Sequence, residues 1–319
     1  MFEVIKSDLA TLEENLVRDV TSSVDLITEV GTHLVCAGGK RIRPALCLLT
    51  AHGGPDFSLE YTLPLAESLE LIHTASLVHD DVIDQADTRR GAATANAKWG
   101  NQVAILSGDY IFARAFALVA EKGYDAKIYH AMANLVANLS VGEILQDYKV
   151  YQAVRDEQDY YDRIQKKTAD FLETCCLVGA DAGGMEQEEI DQLAVYGHDI
   201  GMAFQITDDL LDILESSDQI GKPAGNDIRQ GIVTLPVIRA LQKSPHGEEL
   251  ERIVTDPEMT DDMVARALEI VKATDGADYA KRKADAFLLD AKRHLPARLP
   301  DDIRNAFIQL ADFIGNRDF

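Results

Sequence analysis

The chain has 319 residues and sets 31 lysines and arginines against 54 aspartates and glutamates, a formal charge of −23. A charge of that sign and size repels nucleic acid and an anionic membrane surface at long range, so any phosphate must be held by local basic clusters or by metal ions. With 46% hydrophobic and 27% charged residues, the composition is that of a folded globular protein and excludes disordered, collagen-like and low-complexity classes. Between sparse glycines and prolines the apolar residues recur at three and four positions, which predicts an all-helical fold. Helices are expected over 7–36, 44–51, 63–84, 97–121, 124–149, 160–179, 188–214 and 234–241, with shorter ones as far as Ile314. No segment alternates as a strand does, and no Ser/Pro-rich linker interrupts the chain, so residues 1–319 are expected to form a single domain. The aromatics Trp99, Tyr110, Phe112 and Phe116 sit at helical spacing and are expected in the core. Cys36, Cys47, Cys175 and Cys176 are too few and too irregular for a disulfide framework or a zinc site, and are expected as small buried apolar residues. The first twelve residues carry Glu3 and Asp8 and lack the basic start and apolar stretch of a signal peptide. No run of about 18 uncharged apolar residues occurs, so no transmembrane segment and a reduced, cytoplasmic setting are expected.

Two acidic motifs stand out. Asp80 and Asp84 lie one turn apart at the end of the helix predicted over 63–84, and His73 falls on the same stripe. Clustered carboxylates repel one another and gain nothing from the negative end of a helix, so something cationic is expected opposite them. Asp208 and Asp212 repeat the spacing, with Gln205 and Gly201 on the face of Asp208. One such motif would pass as a solvated helix surface, but two copies in otherwise apolar helices point to a site. Oxygen-only donors favour a hard ion that keeps several waters, which fits Mg²⁺, and two facing clusters suggest a di- or triphosphate clamped between them. Basic residues flank both motifs. The turn from Gly38 to Pro44 holds Lys40, Arg41 and Arg43 just before a helix; Arg89 and Arg90 follow the first motif, Lys222 follows the second, and Lys166 and Lys167 precede Thr168. Asn226 and Asp227 either cap a helix or orient the Lys222 segment.

These ordered motifs, together with Gly108-Asp109, Gly142-Glu143 and the stretch from Gly221 to Pro236, resemble the trans-isoprenyl diphosphate synthases, or polyprenyl synthetases, over nearly the whole chain. The runs Ala75 to Asp84 and Ala97 to Trp99, and the ending Phe313 to Arg317, look like the large chain of two-component, long-chain members. The resemblance implies an all-α fold of the isoprenoid synthase type, a bundle of long helices around a central cavity. It implies that Asp80, Asp84, Asp208 and Asp212 bind Mg²⁺, three ions once substrate is bound. Lys40, Arg43, His73 and Arg90 would hold isopentenyl diphosphate, whereas Arg89, Lys167 and Lys222 would hold an allylic diphosphate, farnesyl diphosphate being the expected primer. Lys167, Thr168 and Gln205 would be catalytic. A homodimer, or a heterodimer with a small helical subunit, is implied as well. Small Ala75 and Ser76 just before the first motif leave a deep tunnel, hence an all-trans product of about six to eight isoprene units (C30 to C40) for a quinone such as menaquinone, with one isoprene unit per helical turn of about 5 Å. Leu135 and Leu139 are candidates for its floor. Gly231-Ile232 departs from the many shorter-chain members that have lysine after the glycine. Competing expectations are a synthase making farnesyl or geranylgeranyl diphosphate, a terpene cyclase, and a non-catalytic regulatory subunit. A cyclase has no second diphosphate to bind with the turn at Gly38 to Pro44, and a regulatory chain would be expected to have lost some of the acidic or basic residues.

Overall fold

The computed structural model describes residues 2–214 and 224–316, so Lys222 lies outside the described residues. The chain begins with a short 3₁₀ turn, Glu3–Ile5, and continues through α1 (Lys6–Asp19), α2 (Asp25–Cys36), α3 (Ile42–His52) and α4 (Leu59–Ile83). A two-stranded hairpin of β1 (Thr88–Arg89) and β2 (Ala92–Ala93) precedes α5 (Ala95–Trp99), α6 (Asn101–Ala120), α7 (Ala126–Tyr148) and α8 (Glu157–Ile164). A π turn, Gln165–Ala169, leads into α9 (Asp170–Ala182) and α10 (Gln187–Leu214). Then come α11 (Asn226–Arg229), α12 (Leu235–Lys243), α13 (Gly247–Val254), α14 (Asp261–Lys272), α15 (Gly276–Arg293) and α16 (Asp301–Gly315). The predicted all-helical class is what the chain adopts.

Two predicted helices are each divided. The helix expected over 7–36 breaks at 20–24, where Val24 is extended and Thr28 Oγ1 accepts from the Ser22 N–H at 2.9 Å, satisfying backbone outside the helix. The helix expected over 97–121 breaks at Gly100, whose φ of +84° leaves the helical region. The hairpin is closed by Arg90 and Gly91, both at positive φ (+53° and +80°), as a two-residue primed turn requires.

The chain forms two compact units, each gathered from three stretches: Met1–Val136, Thr174–Ala194 and Pro296–Ala306 in one; Ala137–Glu173, Val195–Leu295 and Phe307–Phe319 in the other. In the first, α3 is buried on nearly every face, with Leu46, Leu48 and Leu49 inaccessible, as are Leu65, Leu69 and Leu71 of α4. In the second, Tyr196 and Phe307 pack edge to face at 4.9 Å, and Tyr196 donates to the Phe307 carbonyl at 2.7 Å. Trp99, Tyr110, Phe112 and Phe116 are half-buried at the margin of the first core, and three of them meet polar partners: Trp99 stands edge-on to His33, Tyr110 donates to the Thr21 carbonyl, and Phe112 lies against His79. Cys47, Cys175 and Cys176 are buried as expected, but Cys36 ends α2 and is exposed. By length and composition α6 could cross a membrane, with a mean hydropathy of 1.6, although it carries Asp109 and Arg114.

Candidate active site

In the first unit the end of α4 presents Asp80 half-buried and Asp84 exposed, while Asp81 between them is buried. One oxygen of Asp81 accepts from Arg89 Nε at 2.6 Å, fixing the arginine that follows the motif. Arg90 Nη1 donates to the Gly38 carbonyl, so the hairpin and the basic turn are latched together. Arg43 Nη1 lies 3.2 Å from His73 Nε2. Because a guanidinium only donates, that histidine nitrogen accepts and the proton sits on Nδ1. Burial, then the cations of Arg43 and Arg90, push the His73 pKa well below its usual value, so the ring stays neutral. Arg41 belongs elsewhere: it is buried, donates two bonds to Glu13 at 2.6 and 2.8 Å, one to Glu70 at 2.6 Å and one to the Val35 carbonyl at 2.7 Å. A small cleft of about 40 Å³ is lined by residues that include Arg41, Glu70, His73, Asp81, Arg89 and Arg90. Lys40 is exposed beside it on the basic turn. Ala75 is wholly buried, and Ser76 is half-buried with its hydroxyl donated to the His73 carbonyl at 2.9 Å.

The second unit repeats the arrangement. Asp208 and Asp212 are half-buried on α10, and the middle residue, Asp209, is buried. Asp209 accepts from Tyr160 at 2.8 Å and from Gln205 Nε2 at 2.7 Å, and the Gln205 carbonyl accepts from Thr168 at 2.8 Å. Burial pushes the Asp209 carboxyl up, opposed by the Arg163 charge and by these two donors. Lys167 reaches Glu143 at 2.8 Å and Gln146 at 3.2 Å, which gives Glu143 its place. The lysine and Thr168 both ride on the π turn, a wide turn that recurs at functional sites. The two oxygens of Asp212 accept from the backbone N–H groups of Asn226 and Asp227, both at 3.0 Å, so its carboxylate caps α11. Burial, then the neighbouring Asp209 and Asp212, push the Asp227 carboxyl well up.

Among the predicted residues the structure therefore joins Arg43 to His73 and Thr168 to Gln205, and leaves Asp80, Asp84, Asp208 and Asp212 as carboxylates at the end of α4 and along α10. The sequence did not single out Asp81, Asp209, Tyr160 or Arg163. Asp81 and Asp209 were legible only as the second aspartate of each motif, and Tyr160 and Arg163 carried no local signal because their contacts are distant in sequence. The donors at both turns are carboxylate oxygens alone, which fits a hard divalent ion and gives no foothold to a soft one.

Residues 24–271 match the polyprenyl synthetase family. Over its whole length the chain is 41% identical to heptaprenyl diphosphate synthase component 2 of Geobacillus stearothermophilus, 98% of which is covered. Among solved structures it is similar to heptaprenyl diphosphate synthase from Staphylococcus aureus, with a TM-score of 0.92 and 30% identity over 99% of both chains. A polyprenyl synthase from Caulobacter crescentus, complexed with calcium and isoprenyl diphosphate, gives 0.90 and 33% identity over 98% of this chain and 96% of that one. The chain belongs to the polyprenyl synthetase family and is a prenyl-transferring enzyme of the prenyl diphosphate synthase class.

Proposed function

We propose that this chain adds isopentenyl diphosphate head to tail onto an allylic diphosphate such as farnesyl diphosphate, in the cytoplasm and with Mg²⁺, giving an all-trans C30 to C40 diphosphate for a quinone side chain such as that of menaquinone. The observation that carries the proposal is the common build of the two Asp-rich turns. In each, the middle aspartate is buried and held by protein partners, while the flanking carboxylates keep at least part of their surface exposed. Asp80, Asp84 and Asp208 would hold the metal, with Asp212 adding what its capping role leaves free. Bound Mg²⁺ would neutralise the diphosphate leaving group.

Arg89, fixed by Asp81, and Lys167, fixed by Glu143 and Gln146, are cations already oriented for an allylic diphosphate, and Lys222 is assigned to the same group. Preorganised charge of this kind stabilises the negative charge that builds up as the allylic C–O bond ionises. Lys40, Arg43 and Arg90 are assigned to isopentenyl diphosphate, with neutral His73 orienting Arg43. Thr168 and Gln205, fixed by their mutual hydrogen bond and by Asp209, are assigned to the reacting carbons of the allylic substrate. Residues 1–319 are taken as one domain, since each compact unit draws on three separate stretches. A second chain is favoured by the stripe of Val141, Ile144 and Tyr148 on α7, which are 43%, 69% and 74% exposed. The Geobacillus relative is named as one component of a synthase, which favours a small helical subunit over a second copy.

The test is to incubate the purified protein with Mg²⁺, farnesyl diphosphate and excess isopentenyl diphosphate, with and without the small subunit, and to size the products. C30 to C40 chains that vanish in EDTA are expected. Release of only C15 or C20 products, or full turnover in excess EDTA, would overturn the assignment.

A further inference from the structure

Asp199, Asp290 and His294 each offer one ligand atom, and these atoms lie within 4.8 Å of one another. Asp199 comes from α10; Asp290 and His294 are four residues apart at the end of α15, so they share a face. None belongs to the Asp-rich turns: Asp199 precedes Asp208 by nine residues, about 14 Å along the helix.

Asp290 is exposed and His294 half-buried, which leaves Asp199 as the enclosed member of the group. Asp199 is only 5% exposed. Its Oδ1 accepts from His198 Nδ1 at 3.0 Å, but its Oδ2 is buried with no hydrogen-bond partner among the described residues. A buried, unpaired carboxylate oxygen is costly unless something cationic or hydrogen-bonding meets it. His294 supplies a suitable neighbour. Its Nδ1 lies 2.9 Å from the Asp290 carbonyl and so carries the proton there, leaving the lone pair on Nε2, the tautomer of a metal-binding imidazole. The C-terminal end of α15 adds its negative dipole. Arg293, mostly exposed, lies 3.9 Å from Asp290 in a loose, solvent-screened ion pair.

We propose that Asp199, Asp290 and His294 form a second, non-catalytic site for a divalent transition metal, which ties α10 to the end of α15. Two carboxylates with one imidazole suit Zn²⁺, Mn²⁺ or Co²⁺ better than Mg²⁺, which is reluctant to take nitrogen. Zn²⁺ is the probe. Protein stripped with EDTA and returned to excess Mg²⁺, which occupies the Asp-rich turns, is titrated with Zn²⁺ by calorimetry and by thermal unfolding; Co²⁺ absorption reports the nitrogen ligand. A single Mg²⁺-resistant equivalent is expected, and at about 100-fold excess over its Kd it should raise Tm by about 4 °C. His294→Gln and Asp290→Asn should lose that equivalent and the Tm shift while unfolding near the wild-type temperature without Zn²⁺. Asp208→Asn should keep both. Absence of the equivalent in wild type, its survival in His294→Gln and Asp290→Asn, or its loss in Asp208→Asn would each overturn the proposal, and none of these outcomes bears on prenyl transfer.

Discussion

The guanidinium of Arg41 is enclosed by Glu13, Glu70 and the Val35 carbonyl, while Arg43, two positions on, reaches His73. In the sequence both are cations of one basic turn. What separates them is invisible locally, because the carboxylates that claim Arg41 lie 28 residues before it and 29 after. Removing one partner of a buried ion pair strands the rest, so Arg41→Ala should cost about 3 to 5 kcal/mol in denaturant unfolding. Arg43→Ala should barely change stability yet raise the KM for isopentenyl diphosphate about 10- to 100-fold, more than the KM for the primer. Equal effects on both substrates would refute the assignment of Arg43. Glu67 gives a second test at this scale. It is 2% exposed, accepts from Asn15 at 2.5 Å, and burial raises its pKa to about 7. The folded chain keeps that proton where the unfolded chain has lost it, so the stabilisation is complete below about pH 4.5 and fades as pH rises through 7. Glu67→Gln should remove this slope and stabilise the protein at pH 8 by on the order of 2 kcal/mol. Parallel Tm profiles for variant and wild type between pH 5 and 8 would disprove it.

Helix positions were legible because apolar spacing survives in any long helix; α4 spans Leu59–Ile83 where the pattern predicted 63–84. The π turn at Gln165–Ala169 was not, since its sequence differs in nothing obvious from the helix around it. Its partner is Gly201: a Cβ there would stand 2.5 Å from the Ala169 Cα, which is backbone and cannot rotate away. The glycine noted beside Asp208 is thus what lets α10 approach the turn closely enough for Thr168 to bond Gln205. Gly201→Ala should force the two apart. A loss of about 1 to 3 kcal/mol of stability is expected from overpacking, with kcat down about 10- to 100-fold and the KM values less affected. An unchanged kcat in a destabilised variant would show that the Thr168 to Gln205 contact is structural only.

For the molecule as a whole, composition foretold an acidic protein, apolar periodicity a helical one, and the family motifs its chemistry, whereas product size would depend on the depth available to the growing chain. A chain growing from a diphosphate held near Asp80 would have to run back along α4, past Ser76 and Ala75, a little over one turn away. Ala75 is already fully enclosed, so Ala75→Phe would overpack the core as well as shorten any tunnel, and a loss of activity there would not tell the two apart. Ser76 is half-buried, and its hydroxyl makes only a bond to the His73 carbonyl within the same helix. A phenylalanine there can add bulk without displacing packed neighbours on every side. Bulk that overfills the path at this level should cut the product to three or four units while leaving the first condensations intact. Ser76→Phe should therefore convert C30 to C40 products into C15 to C20, with isopentenyl diphosphate consumption per primer falling in proportion. If the variant keeps full activity and full product length, the chain does not pass Ser76 and the tunnel runs along another face of α4.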